Sequence, residues 1–117
     1  MFLQLNHQNL LVYTNARQLI SACYKIANHF PGEEKYNLAQ QIKRASVSVL
    51  LNISEGSSRK SASERNRFFE IARGSVIEID AALEISQDLG YLNNMDLGQL
   101  QHSITNTFKL LSLLLKK

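Results

Sequence analysis

Along most of this chain, apolar residues recur at steps of three and four, the spacing that stacks side chains on one face of an α-helix. Val12, Ala16, Leu19, Ile20, Cys23, Ala27 and Phe30 form the first such stripe and predict a helix over about residues 8–30. Pro31-Gly32 ends it, because proline disfavours α geometry in the residue before it and glycine frees the turn. A second helix is predicted over 33–56. Glu33 and Glu34 suit its positive N-terminal end, and Leu38, Ile42, Ala45, Val49 and Ile53 supply its stripe as far as Gly56. Ser57-Ser58-Arg59-Lys60 reads as a short polar connection.

The third helix, over 62–89, opens with the capping-box pattern Ser61-Ala62-Ser63-Glu64. Phe68, Ile71, Ala72, Ser75, Ile79, Ala82, Leu83, Ser86 and Leu89 are its expected inner residues, and Gly90 suits the positive-φ position just past its end. Asn93, Asn94 and Asp96 are candidate N-caps for a fourth helix over 94–116, with Leu97, Leu100, Ile104, Phe108, Leu111 and Leu115 facing inward. Lys116 and Lys117 suit the negative end of its dipole. Four amphipathic helices with short connections predict an all-α protein, an antiparallel up-down-up-down four-helix bundle in a single domain over 1–117.

The pattern is richer than one core requires. On the second helix Val47, Leu50 and Leu51 lie away from the main stripe, and on the fourth so do Leu110, Leu113 and Leu114. Two helices with surplus apolar faces predict an interface between copies rather than chance exposure. Between the apolar groups of the second helix run Gln41, Arg44, Ser48, Asn52 and Glu55, again at steps of three and four. This stripe is either a solvated face or a hydrogen-bonded seam against the third helix. Folding the two helices as a hairpin about Arg59 brings Arg44 level with Gly74. Gly74 and Ser75 are small enough to let the helices approach. An Arg44–Glu78 or Arg44–Glu70 pair is then expected, orienting the helices more than stabilising them, since desolvation offsets much of the attraction.

Composition narrows the picture. The 117 residues suffice for one core, one Pro and five Gly leave long uninterrupted stretches, and 44% hydrophobic content argues against disorder. Cys23 is the single cysteine, so no intramolecular disulfide forms, and its phase makes it a small core residue. The first residues, Met1-Phe2-Leu3-Gln4-Leu5-Asn6, lack the basic and apolar regions of a signal peptide, and no apolar run reaches membrane-spanning length. A cytoplasmic protein without a membrane partner is the expectation.

Net charge is +3, but it is unevenly laid out. Seven of the thirteen Lys and Arg lie between Lys43 and Arg73, with only Glu55, Glu64 and Glu70 opposing them. The later third helix carries Glu78, Asp80, Glu84 and Asp88. Cations near a helix N-terminus and anions near its C-terminus run against the helix dipole. Arg59, Lys60, Arg65 and Arg67 therefore form either a solvated connection or a surface for nucleic-acid phosphates. No aromatic residues interleave with these cations in sequence, which leaves single-strand base stacking unsupported.

Catalytic chemistry is hardly represented. His7, His29 and His102 are mutually remote in sequence and fit no metal-binding spacing. There is no phosphate-cradling glycine loop and no nucleophile motif, and a Glu55/Glu78 carboxylate pair has no supporting partner in sequence. The expectation is a non-enzyme with no catalytic residue, metal or cofactor.

The central block is distinctive. Phe30-Pro31, Glu34, Tyr36, Leu38, Gln41-Ile42, Arg44-Ala45, Val47-Ser48, Asn52-Ile53 and Glu55-Gly56 resemble the four-helix bundle proteins encoded in intervening sequences of bacterial 23S rRNA genes. The resemblance continues through Arg59, Ser61, Phe68, Ile71-Ala72-Arg73-Gly74-Ser75, Glu78, Gly90-Tyr91-Leu92 and the leucine-rich tail. Leu51 stands where that family often has Pro, so no proline kink is implied for the second helix. The resemblance implies a helical bundle without known catalytic activity that self-assembles. A related branch, the accessory variability proteins of diversity-generating retroelements, forms barrel-like pentamers with a basic surface and works with a reverse transcriptase and nucleic acid. By the same likeness Gln41, Arg44, Ser48, Asn52, Glu55, Arg73, Ser75 and Glu78 are the family's polar positions, for packing and assembly in preference to a ligand. The functional expectation is an oligomeric accessory protein, a pentamer by that likeness, that binds RNA or DNA through its basic end. The alternative is a self-assembling scaffold with no nucleic-acid affinity.

Overall fold

The computed structural model describes residues 2–116; Met1 and Lys117, and with them the expected placement of Lys117 at a helix end, lie outside it. Four α-helices carry the fold: α1 (Leu11–Ala27), α2 (Leu38–Ser57), α3 (Ala62–Asp88) and α4 (Gly98–Leu115). No strand occurs among the described residues. Each helix packs against its neighbours in chain order and α4 closes back on α1, as a bundle with short connections requires. The α2–α3 hairpin is the most extensive junction and α3–α4 the slackest. Twenty-seven residues of α3 rise about 40 Å, which nearly spans the 44 Å long axis of the molecule.

The core joins all four helices. Leu19, Cys23, Ile42, Val49, Ile53, Ala72, Ile79 and Leu111 are essentially inaccessible to solvent. On α3 the buried line runs Phe69, Ala72, Val76, Ile79 and Ala82. Phe68 is only half-buried, and Ile71 and Leu89 are exposed. The predicted inner stripe of this helix was therefore centred too far round. The three-and-four rhythm admits two neighbouring phases here, and the choice is made by how closely α2 approaches. Ile20 is likewise half-buried rather than central.

Three helix starts come later than the periodicity suggested. Residues Asn6–Asn9 form a 3-10 turn before α1, and Gly32–Glu34 form another before α2. The delay in α2 has a specific cause. Glu34 is buried and its carboxylate accepts from Asn37 Nδ2 at 3.0 Å and from Tyr91 Oη at 2.8 Å, which holds residues 34–37 as a loop. At α4, Asp96 Oδ1 accepts from the Gly98 amide at 3.0 Å, while Asn94 sits at φ 64° in the preceding turn. The end of α3 matches expectation. Gly90 has φ +81°, and the Tyr91 amide reaches Ser86 O while Gly90 reaches Gln87 O, the paired bonds of a Schellman cap. Ser61 Oγ caps α3 by accepting from the Glu64 amide at 3.1 Å.

Buried hydroxyls turn back onto their own helices. Ser46, Ser86, Ser103 and Thr107 donate to carbonyls three or four residues earlier, so they add no unmet polar demand to the core. Among the described residues, no helix is long and apolar enough to cross a membrane.

Candidate nucleic-acid interface

The turn between α2 and α3 gathers the sequence-predicted cations at one end of the bundle, but gives them different work. Arg65 is half-buried, and its Nη1 donates to the carbonyls of Lys60 at 2.7 Å and Arg59 at 3.2 Å. Its charge closes the turn. Arg59 donates to Glu55 at 2.9 Å, one helical turn back, in an exposed ion pair of the kind that contributes about 0.3–0.5 kcal/mol. Arg67 and Lys60 are exposed.

An aromatic ring joins them after all. The Arg59 guanidinium lies 4.9 Å and the Arg67 guanidinium 5.4 Å from the Phe68 ring centroid. Cation–π attraction and stacking restrain both long side chains on a half-buried platform while leaving guanidinium N–H groups at the surface. This arrangement escaped sequence reading because Arg59 is nine residues from Phe68 and meets it only once the chain reverses. Lys116, at the C-terminal cap of α4, belongs to the same end of an antiparallel bundle. The opposite end carries Glu33, Glu34, Asp88 and Asp96, so the molecule has a basic and a more acidic pole.

The predicted polar seam divides into separate contacts. Ser75 Oγ donates to Ser48 Oγ at 3.1 Å across the α2–α3 junction, and Asn52 Nδ2 donates to Ser48 O at 2.9 Å and to Ser48 Oγ at 3.1 Å. Glu78 accepts from Gln41. The expected Arg44–Glu78 or Arg44–Glu70 ion pair does not form: the register places Gln41 opposite Glu78, and Arg44 points from the exposed flank of α2. Gly74 is exposed with open space beside it, so the close approach comes through Ser75 and not through this glycine. Glu55 joins the basic end through Arg59 and is not held with Glu78. Arg73 turns the other way, donating from Nε to Ser112 at 3.0 Å and stacking 4.5 Å from the Phe108 ring centroid, where it bridges α3 to α4.

The surplus apolar residues also sort differently. Leu50, Leu110 and Leu114 pack against the core, because their helices turn a broader face inward than a narrow stripe allows. Val47 is half-buried, and Leu51 and Leu113 are exposed. Exposed apolar surface also occurs where sequence reading did not look for it, at Ile71, Ile77 and Ile85 of α3 and at Leu89 just past its end.

No group of His, Cys, Asp and Glu among the described residues is arranged to hold a metal ion. Burial pushes the Cys23 thiol up to about 12, which keeps it protonated and chemically quiet. Glu34 is held below the ordinary carboxylate range, first by the hydrogen bond from Tyr91 and further by the Leu38 amide and Asn37, against the opposing effect of burial. Tyr91 is raised by that same bond to Glu34, by burial and by the nearby negative charges of Glu34 and Glu33. These shifts belong to a structural clamp between the two loops at the acidic pole.

No curated protein matches the chain. A family model, that of the 23S rRNA-intervening sequence protein, matches residues 8–113, a span that takes in α1, α2, α3, all but the last two residues of α4, and the α2–α3 turn with its cations. The chain belongs to the 23S rRNA-intervening sequence protein family.

Proposed function

We propose that this chain is a non-catalytic accessory protein that assembles with its own copies and binds nucleic acid, RNA foremost, through the basic end of the bundle. The observation that carries the reading is the pairing of Arg59 and Arg67 on Phe68, where the guanidiniums are restrained without being buried, with the exposed Lys60 next to Arg59 in the same turn. Side chains already held in place lose less freedom when they meet phosphates. Arg65 is committed to the turn, so the phosphate contacts fall to the other three.

Three contacts to a single strand give a slope of about −2 in log Kobs against log salt. Fluorescence anisotropy with a short RNA and a short DNA duplex, from low to near-physiological salt, measures it. Arg59→Glu/Lys60→Glu abolishes binding, and Lys60→Ala reduces the slope by about 0.7 while leaving the fold intact. Absence of binding even at low salt removes the nucleic-acid reading. The reading that then stands is a protein scaffold, which the exposed Leu51, Ile77, Ile85 and Leu113 favour.

A further inference from the structure

The Arg73–Phe108 and Arg59–Phe68 contacts are chemically alike and differ in what they leave free. Arg73 is half-buried, 4.5 Å from its ring centroid, and its Nε donates to Ser112, so that guanidinium is spent on joining α3 to α4. Arg59 lies over the Phe68 ring at 4.9 Å while 42% of its side-chain surface stays open to solvent. Its backbone is fixed as well. The Arg59 amide donates to Gly56 O at 3.1 Å, and the Arg59 carbonyl accepts from Arg65 Nη1 at 3.2 Å. Glu55 Oε2 accepts from Arg59 Nη2 at 2.9 Å. The ring on one side and the carboxylate at one edge together orient a planar cation at the surface of the basic pole.

A planar cation held in this way offers two kinds of contact. The N–H groups not taken by Glu55 are free to reach phosphate oxygens. The plane itself suits a nucleobase, because guanidinium planes and aromatic rings are the surfaces on which unpaired bases stack. Bases inside a duplex already have both faces covered by their neighbours, so such a platform favours a strand whose bases are free. Lys60, next along the turn, and Arg67, 5.4 Å from the same ring, supply charge for the adjoining phosphates. Because the Arg59 side chain is ordered beforehand, little of its freedom is lost when a base settles on it.

We infer that the Arg59–Phe68 stack receives an unpaired base of a bound single strand. The inference rests on the nucleic-acid part of the proposed function and names the form of strand which that surface selects. Phosphate contacts by Arg59, Lys60 and Arg67 hold the strand against the pole, and the stacked base adds a contact that a fully paired duplex does not offer.

Fluorescence anisotropy with the full chain at low salt compares a labelled oligouridylate of about ten nucleotides, an abasic ribose-phosphate strand of the same length and charge, and the oligouridylate paired with oligoadenylate. The oligouridylate binds at least about fivefold more tightly than the abasic strand. Arg59→Lys keeps the charge and removes the plane. It brings the ratio of oligouridylate to abasic affinity down to about one, and the ratio of oligouridylate to duplex affinity falls with it, while the salt slope stays at about −2. Phe68→Leu withdraws the ring that backs the guanidinium and lowers the same two ratios, with circular dichroism confirming that the helices are intact. A wild type that binds the oligouridylate and the abasic strand equally, or ratios that survive Arg59→Lys, overturn the inference and leave phosphate binding by the basic pole standing. Failure of every strand to bind at low salt removes the nucleic-acid reading and this inference with it.

Discussion

Two glycines illustrate how differently one residue type is used. Gly56 is buried in the last turn of α2, and a Cβ there would lie 2.8 Å from the Phe69 ring and 3.1 Å from the Arg65 carbonyl. That ring is packed in the core, so it has little room to withdraw. Gly56→Ala gains helix propensity of about 1 kcal/mol but incurs overpacking of about 1–3 kcal/mol, for a net loss of stability. Gly74 sits mid-helix in α3 with nothing near its missing side chain. Gly74→Ala stabilises the protein by about 0.5–1 kcal/mol through backbone entropy alone. Urea denaturation of both variants reads the contrast, and equal signs for the two would refute this account. Sequence reading took Gly56 as a helix terminus, which it is to within one residue, and Gly74 as a close-packing site; the close packing falls at Gly56 instead.

At the scale of elements, the loops are tied more firmly than their composition suggests. Tyr91, just past the Schellman cap of α3, reaches Glu34 before α2, and the Tyr91 ring also lies 5.5 Å from that of Phe30. The two connections at the acidic pole are therefore one unit. Because the Glu34 pKa is lowered on folding, its contribution is present above the unfolded carboxylate value of about 4.3 and is lost as pH falls through the lower folded value. Tyr91→Phe lowers the melting temperature at neutral pH, and the gap from wild type narrows on acidification below pH about 4. Thermal unfolding across that range checks it, and a constant gap would show that the carboxylate is not the linked group. The raised Tyr91 value acts in the opposite direction, its contribution being complete below the phenol's unfolded value of about 10 and lost in stronger alkali.

For the molecule as a whole, packing is uneven around the bundle. The α2–α3 hairpin shares a long junction with serine and asparagine bonds inside it, while a groove of about 670 Å³ lies between α3 and α4, which Arg73 bridges. Local opening follows the density of such contacts. Hydrogen exchange of the monomeric protein is therefore slowest in the facing turns of α2 and α3 around Val49, Ile53 and Ala72, and faster in the first half of α4. Uniform protection around the bundle would contradict this expectation. The charge layout belongs to the same scale: the cations that oppose the α3 dipole are collected at a pole, where their modest individual cost of about 0.3–1 kcal/mol sustains a surface field.

Much of this was written locally. Apolar steps of three and four decide that four helices exist, and Pro31, Ser61 and Gly90 punctuate them through φ restriction, capping and positive φ. Such effects act within a turn or two of chain and need no knowledge of the fold. Contacts between distant segments had no such signature. The burial of Phe69 instead of Phe68 depends on the approach of α2, the Glu34 clamp on a tyrosine fifty-seven residues away, and the Arg59–Phe68–Arg67 platform on chain reversal. The groove depends on how far α4 stands from α3. Local periodicity determines which face of a helix is apolar to within about one residue. Only tertiary packing selects the phase, the partner and the gap, because each is set by the shapes of two surfaces at once.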